Sequence, residues 1–276
     1  MSTNVSFSAL IEHVGLSIRH SRRLSHAHWL WQLSRPWYDR LLRLVGRHGL
    51  ERNINGTDQI LLVPRFRGVQ AIYEPELWAI LATEAKRGDI IADVGAYIGL
   101  YLIALAKRVG KQGKIYSFEP DPGNFASLAA HVKLNEVSDT VAMVQSAVAA
   151  YDGTVQFDNN RFSESHISEL ITHTTHETRC VCLDTVFSNS RLDILKIDVE
   201  GYEEAVLKGA RELLANTKRC PRLIVLEAHP YVWASTGTTS ESLLGLLDAL
   251  HYRVMRADGK AVDRILTWGG LIARKE

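Results

Sequence analysis

From residue 90 onward, short apolar runs alternate with longer segments whose apolar residues recur at helical spacing. This alternation is typical of a parallel sheet whose strands are joined by helices packed on both faces. Five strands are predicted in this α/β region, at residues 90–94, 114–118, 141–144, 193–197 and 222–226. Helices are predicted at residues 100–109, 124–134, 203–214 and 240–250.

The end of the chain departs from this alternation. Two late apolar runs, 252–256 and 265–273, are separated by a Gly-containing turn at 257–259 and by no helical segment. They predict a hairpin, which adds an antiparallel edge to an otherwise parallel, seven-stranded sheet.

The interval between the third and fourth strands is too long for a simple crossover. Within residues 152–185 we predict two additional strands, at 154–157 and 179–183, with a polar loop between them. Long polar loops in compact domains are more often functional than accidental.

Residues 1–60 show a different pattern. Apolar residues such as Trp29 and Trp37 recur at helical spacing within residues 18–50, with Arg at many of the other positions. We therefore divide the chain into an N-terminal helical extension, residues 1–60, and a main domain, residues 61–276.

The first 50 residues are basic, with seven Arg, no Lys and two acidic residues. A basic helical face with Trp suits packing as a lid or in a homodimer, contact with an anionic membrane surface, or solvation. Scattered charge is commonest on helices of soluble proteins, so packing or dimerisation is favoured over peripheral membrane contact through residues 18–50.

The composition excludes several classes of protein. A net charge of +1 gives no reason to expect a nucleic acid partner. Three cysteines without a CxxC pair fit the reducing cytoplasm better than a disulfide framework. No apolar run is long enough to span a membrane, and residues 1–7 lack the features of a secretory signal.

The strongest candidate site lies where the first of these strands gives way to a helix. The segment 93–99, Asp-Val-Gly-Ala-Tyr-Ile-Gly, combines a carboxylate with two glycines at the turn. Glycine lets the backbone approach a ligand, and the N–H groups of the following helix attract an anionic group. Glu119 ends the next strand, 24 residues after Gly95, where a carboxylate accepts hydrogen bonds from ribose hydroxyls.

The type of nucleotide cofactor follows from Tyr97. A dinucleotide site needs the tighter Gly-x-Gly-x-x-Gly spacing, because the pyrophosphate rests on the backbone. Here Tyr97 stands at the position of the second glycine. S-adenosylmethionine has no phosphate, so its binding does not require a glycine at that position. A nicotinamide-dependent oxidoreductase and a non-catalytic nucleotide-binding protein remain as the alternative hypotheses.

Four segments together resemble the FkbM family of methyltransferases: residues 93–99, Phe-Glu-Pro at 118–120, Leu-Lys-Ile-Asp-Val-Glu-Gly at 195–201 and Leu-Glu-Ala-His at 226–229. The third is the most specific, and the resemblance extends from about residue 73 to the C-terminus. It implies a class I, Rossmann-like methyltransferase fold with strand order 3-2-1-4-5-7-6. It also implies S-adenosylmethionine as cofactor and O-methylation of sugars or natural products.

The resemblance implies roles for single residues. Asp93 and Gly95 approach the methionine portion, Glu119 binds the ribose, and the adenine lies near Ser146. Tyr97 stands where the family often has Asn, so no side-chain contact is carried over to it. The expected cofactor-binding residues are Glu74, Asp93, Gly95, Ala96, Tyr97, Gly99, Glu119, Pro120, Ser146, Ala147 and Asp198.

The reaction is expected at the carboxyl ends of the fourth and fifth strands, where open α/β sheets bind ligands. Asp198, Glu227 and His229 follow these strands and can converge on one cavity, with Lys196 able to pair with Asp198. Asp198 and His229 are the leading candidates for the base that takes the proton of an acceptor hydroxyl. The alternatives are structural: a helix cap for Asp198, and a loop residue that orients the backbone before Pro230 for His229.

The same three residues, Asp198, Glu227 and His229, could hold Mg²⁺ or Zn²⁺. Nothing in their spacing demands a metal ion, so chemistry without one is favoured. Glu200, Ser165 and His166 are the candidate acceptor-binding residues. The loop with Ser165 and His166 is rich in hydroxyl groups, which suits a polyhydroxylated acceptor but equally suits a mobile, solvated loop.

Overall fold

The structure is a computed structural model that describes residues 36–37, 40, 48–158, 166–167 and 175–276. These residues fall into two compact units, which divide between Tyr73 and Glu74. The basic segment 18–50 lies almost entirely outside the described residues. Its proposed roles in packing, dimerisation or membrane contact therefore stay predictions.

The first unit contains a hairpin of two strands, β1 (Leu50–Ile54) and β2 (Asp58–Leu62). The turn between them passes through Asn55 and Gly56, both with positive φ, at 51° and 72°. Asn-Gly is a strong hairpin signal, and alternate strand residues are buried. The helical extension was expected to reach residue 60, but residues 50–60 belong to this hairpin instead.

The second unit carries eleven strands and eight helices among the described residues. The strands are β3 (Ile90–Val94), β4 (Lys114–Phe118), β5 (Val141–Val144), β6 (Ala147–Val148), β7 (Gly153–Asp158), β8 (His166–Ile167), β9 (Thr175–Val181), β10 (Ile194–Ile197), β11 (Leu223–Ala228), β12 (Tyr252–Arg256) and β13 (Gly269–Lys275). The helices are α1 (Pro75–Glu84), α2 (Leu100–Val109), α3 (Pro122–Leu134), α4 (Leu183–Val186), α5 (Glu203–Lys208), α6 (Arg211–Ala215), α7 (Trp233–Thr236) and α8 (Ser240–Ala249).

Seven of these strands form one sheet in the order β12-β13-β11-β10-β3-β4-β5. Strands β11, β10, β3, β4 and β5 are parallel to their neighbours in this series. β13 is antiparallel to both β11 and β12. Numbered within the sheet, this is the order 3-2-1-4-5-7-6 of a class I methyltransferase, which confirms the predicted fold.

The predicted antiparallel hairpin lies at the edge of the sheet, in the positions that the order 3-2-1-4-5-7-6 implied. β12 occupies the edge, and β13 is inserted between it and β11. The apolar centre of β13 explains this, because Leu271, Ile272 and Ala273 are buried. β13 also begins at Gly269, since the residues from 265 onward that were assigned to it precede the strand.

The helix predicted at residues 203–214 is two helices, α5 and α6. The break lies at Gly209, where an added Cβ atom would stand 2.0 Å from the carbonyl oxygen of Ala149. The side chain of Asp184 then accepts hydrogen bonds from the backbone N–H groups of Glu212 and Leu213, at 3.0 and 2.8 Å. These bonds satisfy the N–H groups that a new helix start leaves free.

Three strands within the interval 152–185, β7, β8 and β9, form a second sheet with β6, in the order β6-β9-β7-β8. The two additional strands predicted there correspond to β7 and β9, which pair antiparallel. Ser165 lies outside the described residues, and His166 contributes backbone to β8, where it pairs with Asp158.

The central strands β10 and β11 are buried along their whole length, as expected for parallel strands covered on both faces. Because β3, β4, β10 and β11 are parallel, the residues that follow them meet at one edge of the sheet. Within the described residues, no helix combines the length and the apolar character needed to cross a membrane.

Candidate functional site

The turn between β3 and α2 is shaped by residues with positive φ. Gly95, Tyr97 and Gly99 have φ of 79°, 51° and 86°. A Cβ atom at position 95 would lie 1.7 Å from the carbonyl oxygen of Asp198, so only glycine fits there. The turn is therefore pressed against the end of β10.

The backbone donors of this turn are used within the protein. The N–H groups of Gly95 and Ala96 both donate to the carbonyl oxygen of Phe118, each at 3.0 Å. The N–H group of Tyr97 donates to Oε2 of Glu119 at 2.8 Å. These bonds join the ends of β3 and β4 and fix the shape of the expected cofactor site.

Glu119 is a buried carboxylate at the end of β4. Its Oε1 accepts a hydrogen bond from the N–H group of Asp121 at 3.0 Å, on the far side of Pro120. Burial raises the pKa of Glu119 to about 7, although the N–H groups of Asp121 and Tyr97 oppose this rise. A carboxylate offers about four acceptor positions, so Glu119 keeps capacity for hydroxyl donors.

Lys196 connects Asp93, which precedes the glycine turn, with Asp198 at the carboxyl end of β10. It lies directly opposite Asp93 in the pairing of β10 with β3. Its Nζ is 3.3 Å from Oδ1 of Asp93 and 3.4 Å from Oδ2 of Asp198. Burial opposes the charge on Lys196, but these carboxylates outweigh it and raise its pKa. The expected pairing with Asp198 is confirmed, whereas the pairing with Asp93 was missed.

Asp93 itself is completely buried, and burial raises its pKa although Lys196 acts in the opposite direction. Within the part of the chain that the structure describes, neither of its carboxylate oxygens has an aligned hydrogen-bond donor. A buried carboxylate normally has such donors. The side chain therefore fits a site where a ligand completes the hydrogen bonding.

Glu74 lies at the same edge of the sheet. It precedes α1 with φ of 38°, and its Oε2 accepts a hydrogen bond from the hydroxyl of Tyr101 at 2.9 Å. Its charge contributes to the raised pKa values of Lys196 and Glu227. The expectation that Glu74 faces the methionine amine remains a prediction.

Ser146 and Ala147 follow β5, as expected for residues near the adenine. The side chain of Ser146 is completely buried, and its hydroxyl lies 2.9 Å from the carbonyl oxygens of both Ala147 and Arg179. The single hydroxyl proton is therefore committed to the backbone. Ser146 joins β5 to the second sheet and does not present a free donor.

Asp198, Glu227 and His229 come together at the ends of β10 and β11. One ligand atom from each lies within 4.8 Å of the other two. Glu227 and His229 are buried, and Asp198 is half-buried. Burial and the charge of Asp198 raise the pKa of Glu227 to about 8.

His229 is held by a residue that the sequence analysis did not single out, Glu203. Nδ1 of His229 is 2.7 Å from Oε1 of Glu203, which also accepts from the N–H group of Gly201 at 3.0 Å. The indole N–H of Trp233 donates to Oε2 at 2.9 Å. Burial opposes protonation of His229, but the bond to Glu203 and the charge of Glu200 outweigh it and raise its pKa to about 9.

The helix-cap alternative is excluded for Asp198, whereas the assignment of His229 as a base stays a prediction. Tyr202 precedes α5, and no side chain caps that helix, so Asp198 is not a helix cap. The ring of His229 is buried and bonded to Glu203, so its side chain does more than orient the loop before Pro230.

Glu200 lies beside this cluster with φ of 50°. Its Oε2 accepts a hydrogen bond from the hydroxyl of Tyr231 at 3.0 Å and is 3.5 Å from Nε2 of His229. Tyr231 is 65% exposed, so this pair lies where the cluster opens to solvent. No motif in the sequence indicated Tyr231, although it follows His229 by only two residues.

Residues 93–254 match the model of the methyltransferase FkbM domain, which is more than half of the chain. Hexuronic acid methyltransferase AglP of Haloferax volcanii is 21% identical over 188 residues, which are 67% of this chain and 72% of that protein. Methyltransferase sdnD of Sordaria araneosa is 27% identical over 157 residues, 44% of this chain and 60% of that protein.

A crystal structure of methyltransferase FkbM from Methylobacillus flagellatus KT superposes with a TM-score of 0.46 at 18% identity. The superposition covers 67% of this chain and 43% of that longer protein. The family match and the strand order of the large sheet set aside the oxidoreductase and the non-catalytic alternatives. The chain belongs to the FkbM family of S-adenosylmethionine-dependent methyltransferases.

Proposed function

We propose that this methyltransferase acts on a hydroxyl group of a sugar, a glycan or a glycosylated natural product. The observation that carries the proposal is the convergence of Asp198, Glu227 and His229 at one edge of the sheet, beside the glycine turn. A relative that is 21% identical over 67% of this chain is named as a hexuronic acid methyltransferase, which supports a sugar acceptor.

The residues of the glycine turn fit S-adenosylmethionine. This cofactor supplies a methyl group that is already activated by its sulfonium sulfur. Asp93 lacks aligned donors among the described residues, and Glu119 has acceptor positions left over, so they suit the ammonium group and the ribose hydroxyls respectively. Lys196 keeps Asp93 and Asp198 at a fixed separation, which holds the cofactor end and the acceptor end of the site together.

The chemistry of the cluster favours a hydroxyl over a carboxylate as acceptor. A hydroxyl must lose its proton during methyl transfer, and a carboxylate at the site can accept that proton. A carboxylate acceptor is already a nucleophile and needs no such help.

The acceptor assignment is tested by incubating the protein with methyl-labelled S-adenosylmethionine and a panel of oligosaccharides with and without a hexuronic acid. Methyl ethers and methyl esters are then separated by their stability in mild base. We expect label in a base-stable ether. Label in a base-labile ester would contradict transfer to a hydroxyl, and the absence of label in every sugar would contradict the acceptor class.

The cofactor site is tested separately by calorimetric titration with S-adenosylmethionine. We expect saturable binding that Glu119→Ala abolishes, because the variant removes the ribose acceptor. Glu212→Ala, an exposed residue of α6, serves as the control and should bind as the wild type does. A titration without heat for any adenosyl compound would contradict the site.

A further inference from the structure

Three residues at the carboxyl ends of β10 and β11 have side chains that are typical metal ligands. Asp198 and Glu227 offer carboxylate oxygens, His229 offers a ring nitrogen, and these atoms lie within 4.8 Å of one another. Ligand atoms of one divalent ion stand about 3 to 4 Å apart when each bond is about 2.1 Å long. Small side-chain rotations would therefore bring all three onto one ion.

Glu227 gives an independent indication of a ligand. Its side chain is 8% exposed, yet it makes no hydrogen bond or salt bridge within the described part of the chain. Its oxygens are not sealed from solvent, so a ligand can reach them, and natural proteins pair such carboxylates or coordinate them to metals. Its oxygen faces Asp198 and His229, so a cation between the three would supply the missing partner.

The orientation of His229 is that of a metal ligand. Glu203 already accepts hydrogen bonds from Gly201 and Trp233, and as a carboxylate it can only accept. Nδ1 of His229 must therefore carry the proton that it shares with Glu203, 2.7 Å away. Nε2, 3.5 Å from Oε2 of Glu200, is the ring nitrogen that remains for a metal ion, which would replace any proton it carries. Histidine ligands are commonly fixed in this way by a carboxylate on the other ring nitrogen.

We propose that Asp198, Glu227 and His229 bind a divalent cation, and that this cation holds and acidifies the acceptor hydroxyl. This inference rests on the proposed function. The hydroxyl oxygen occupies an open position on the ion and loses its proton to water. A bond then forms between that oxygen and the methyl carbon, while the carbon–sulfur bond breaks and its electron pair stays on sulfur. Two carboxylates with one imidazole suit Mn²⁺ or Zn²⁺ better than Ca²⁺.

The test begins with binding of the metal alone. The full chain is treated with a chelator, freed of it, and titrated with Mn²⁺ while free Mn²⁺ is followed by electron paramagnetic resonance. We expect one site per chain. Glu227→Gln and Asp198→Asn should weaken it more than about tenfold, and Glu203→Gln by about 10- to 100-fold through the orientation of His229. Glu212→Gln, on the exposed face of α6, is the matched control and should bind as the wild type does.

Circular dichroism and S-adenosylmethionine titration of each variant show whether it is folded and still binds the cofactor. Absence of Mn²⁺ binding by the wild type, or equal binding by folded Glu227→Gln and Asp198→Asn, would overturn the proposal. Methyl transfer that continues undiminished in chelator would also overturn it and would leave the proposed function intact. Mn²⁺ binding that depends on Glu227 with no methylated sugar would support the metal site and count against the acceptor class.

Discussion

At the scale of single residues, the site is made of carboxylates that are buried for different reasons. Glu203 is completely buried because three donors surround it, whereas Asp93 is completely buried with only the ammonium of Lys196 nearby among the described residues. Glu119 stands between these cases, with two backbone donors. A carboxylate whose hydrogen bonds are all made within the protein supports the fold, whereas a carboxylate with few donors is suited to bind a ligand.

Glu119 should make stability depend on pH. Its pKa is about 7 in the folded chain, against an ordinary value of 4.5. A raised pKa stabilises the folded state below pH 4.5, and this stabilisation is lost as the pH rises through 7. The shift is worth roughly 3 kcal/mol. Glu119→Gln does not titrate, so its free energy of unfolding should rise by up to that amount relative to the wild type between mild acid and mild base.

Urea denaturation of both proteins at several pH values measures this difference. The comparison between the two proteins cancels the titration of the other groups. A difference in unfolding free energy that stays constant across the range would contradict the assigned protonation of Glu119.

Gly95 should be intolerant of any side chain. In Gly95→Ala the Cβ atom meets the carbonyl oxygen of Asp198 at 1.7 Å, so β10 and the turn must separate. We expect a loss of more than about 3 kcal/mol in unfolding free energy, together with loss of cofactor binding. Gly259→Ala is the control, because φ is 84° there but nothing lies within 4 Å. It should cost about 1 to 2 kcal/mol from backbone strain alone. Equal losses in the two variants, measured by urea denaturation, would show that the contact at Gly95 is unimportant.

At the scale of elements, the break between α5 and α6 follows from a close approach of two backbones. Gly209 would place a Cβ atom 2.0 Å from the carbonyl oxygen of Ala149. The helix after β10 is consequently short, and α5 begins at Glu203, three residues after Glu200. The same geometry therefore sets the position of the groups that surround His229.

A pair of glycine substitutions tests this account. Gly209→Ala should lower the unfolding free energy by several kcal/mol, because Ala149 cannot retreat without disturbing β6. Gly245→Ala lies inside α8 with nothing within 4 Å, and it should stabilise the protein by up to about 1 kcal/mol. In thermal denaturation, the midpoint of Gly209→Ala should therefore be lower than that of the wild type, and the midpoint of Gly245→Ala should be higher. A Gly209 variant as stable as the wild type would disprove the steric origin of the break.

At the scale of the whole molecule, the site is assembled from chain segments far apart in sequence. Asp93 lies in β3, and Glu119, Asp198 and His229 follow three other strands of the same sheet. A ligand that contacts several of them binds the folded chain and not the unfolded one. Binding should therefore stabilise the second unit as a whole.

We expect S-adenosylhomocysteine at a hundredfold excess over its Kd to add about 2.7 kcal/mol to the unfolding free energy. For a unit of this size the thermal midpoint should rise by roughly 5 to 10 °C. Differential scanning calorimetry measures the shift, with Glu119→Ala as the variant that should lose it. A full shift in that variant would exclude Glu119 from the cofactor site.

Most of the fold could be predicted from the sequence. The β3–α2 boundary and the five parallel strands were predicted, because alternation of apolar periodicity and turn glycines are local signals. The class I strand order was predicted from the family resemblance. The hairpin of β1 and β2 was missed although Asn55-Gly56 signalled it. Glu119 and the convergence of Asp198 with His229 were also predicted, since parallel strands place their ends at one edge.

The partners of these residues could be found only in the folded structure. Glu203 is predicted from the sequence as an acidic residue in the first turn of a helix, and its complete burial against His229 depends on how α5 packs on β11. The periodicity of apolar residues predicts the conformation of a helix or strand, because it involves residues close together in the sequence. Burial, charge balance and metal-ligand geometry involve residues that are far apart in the sequence and meet only in the folded chain.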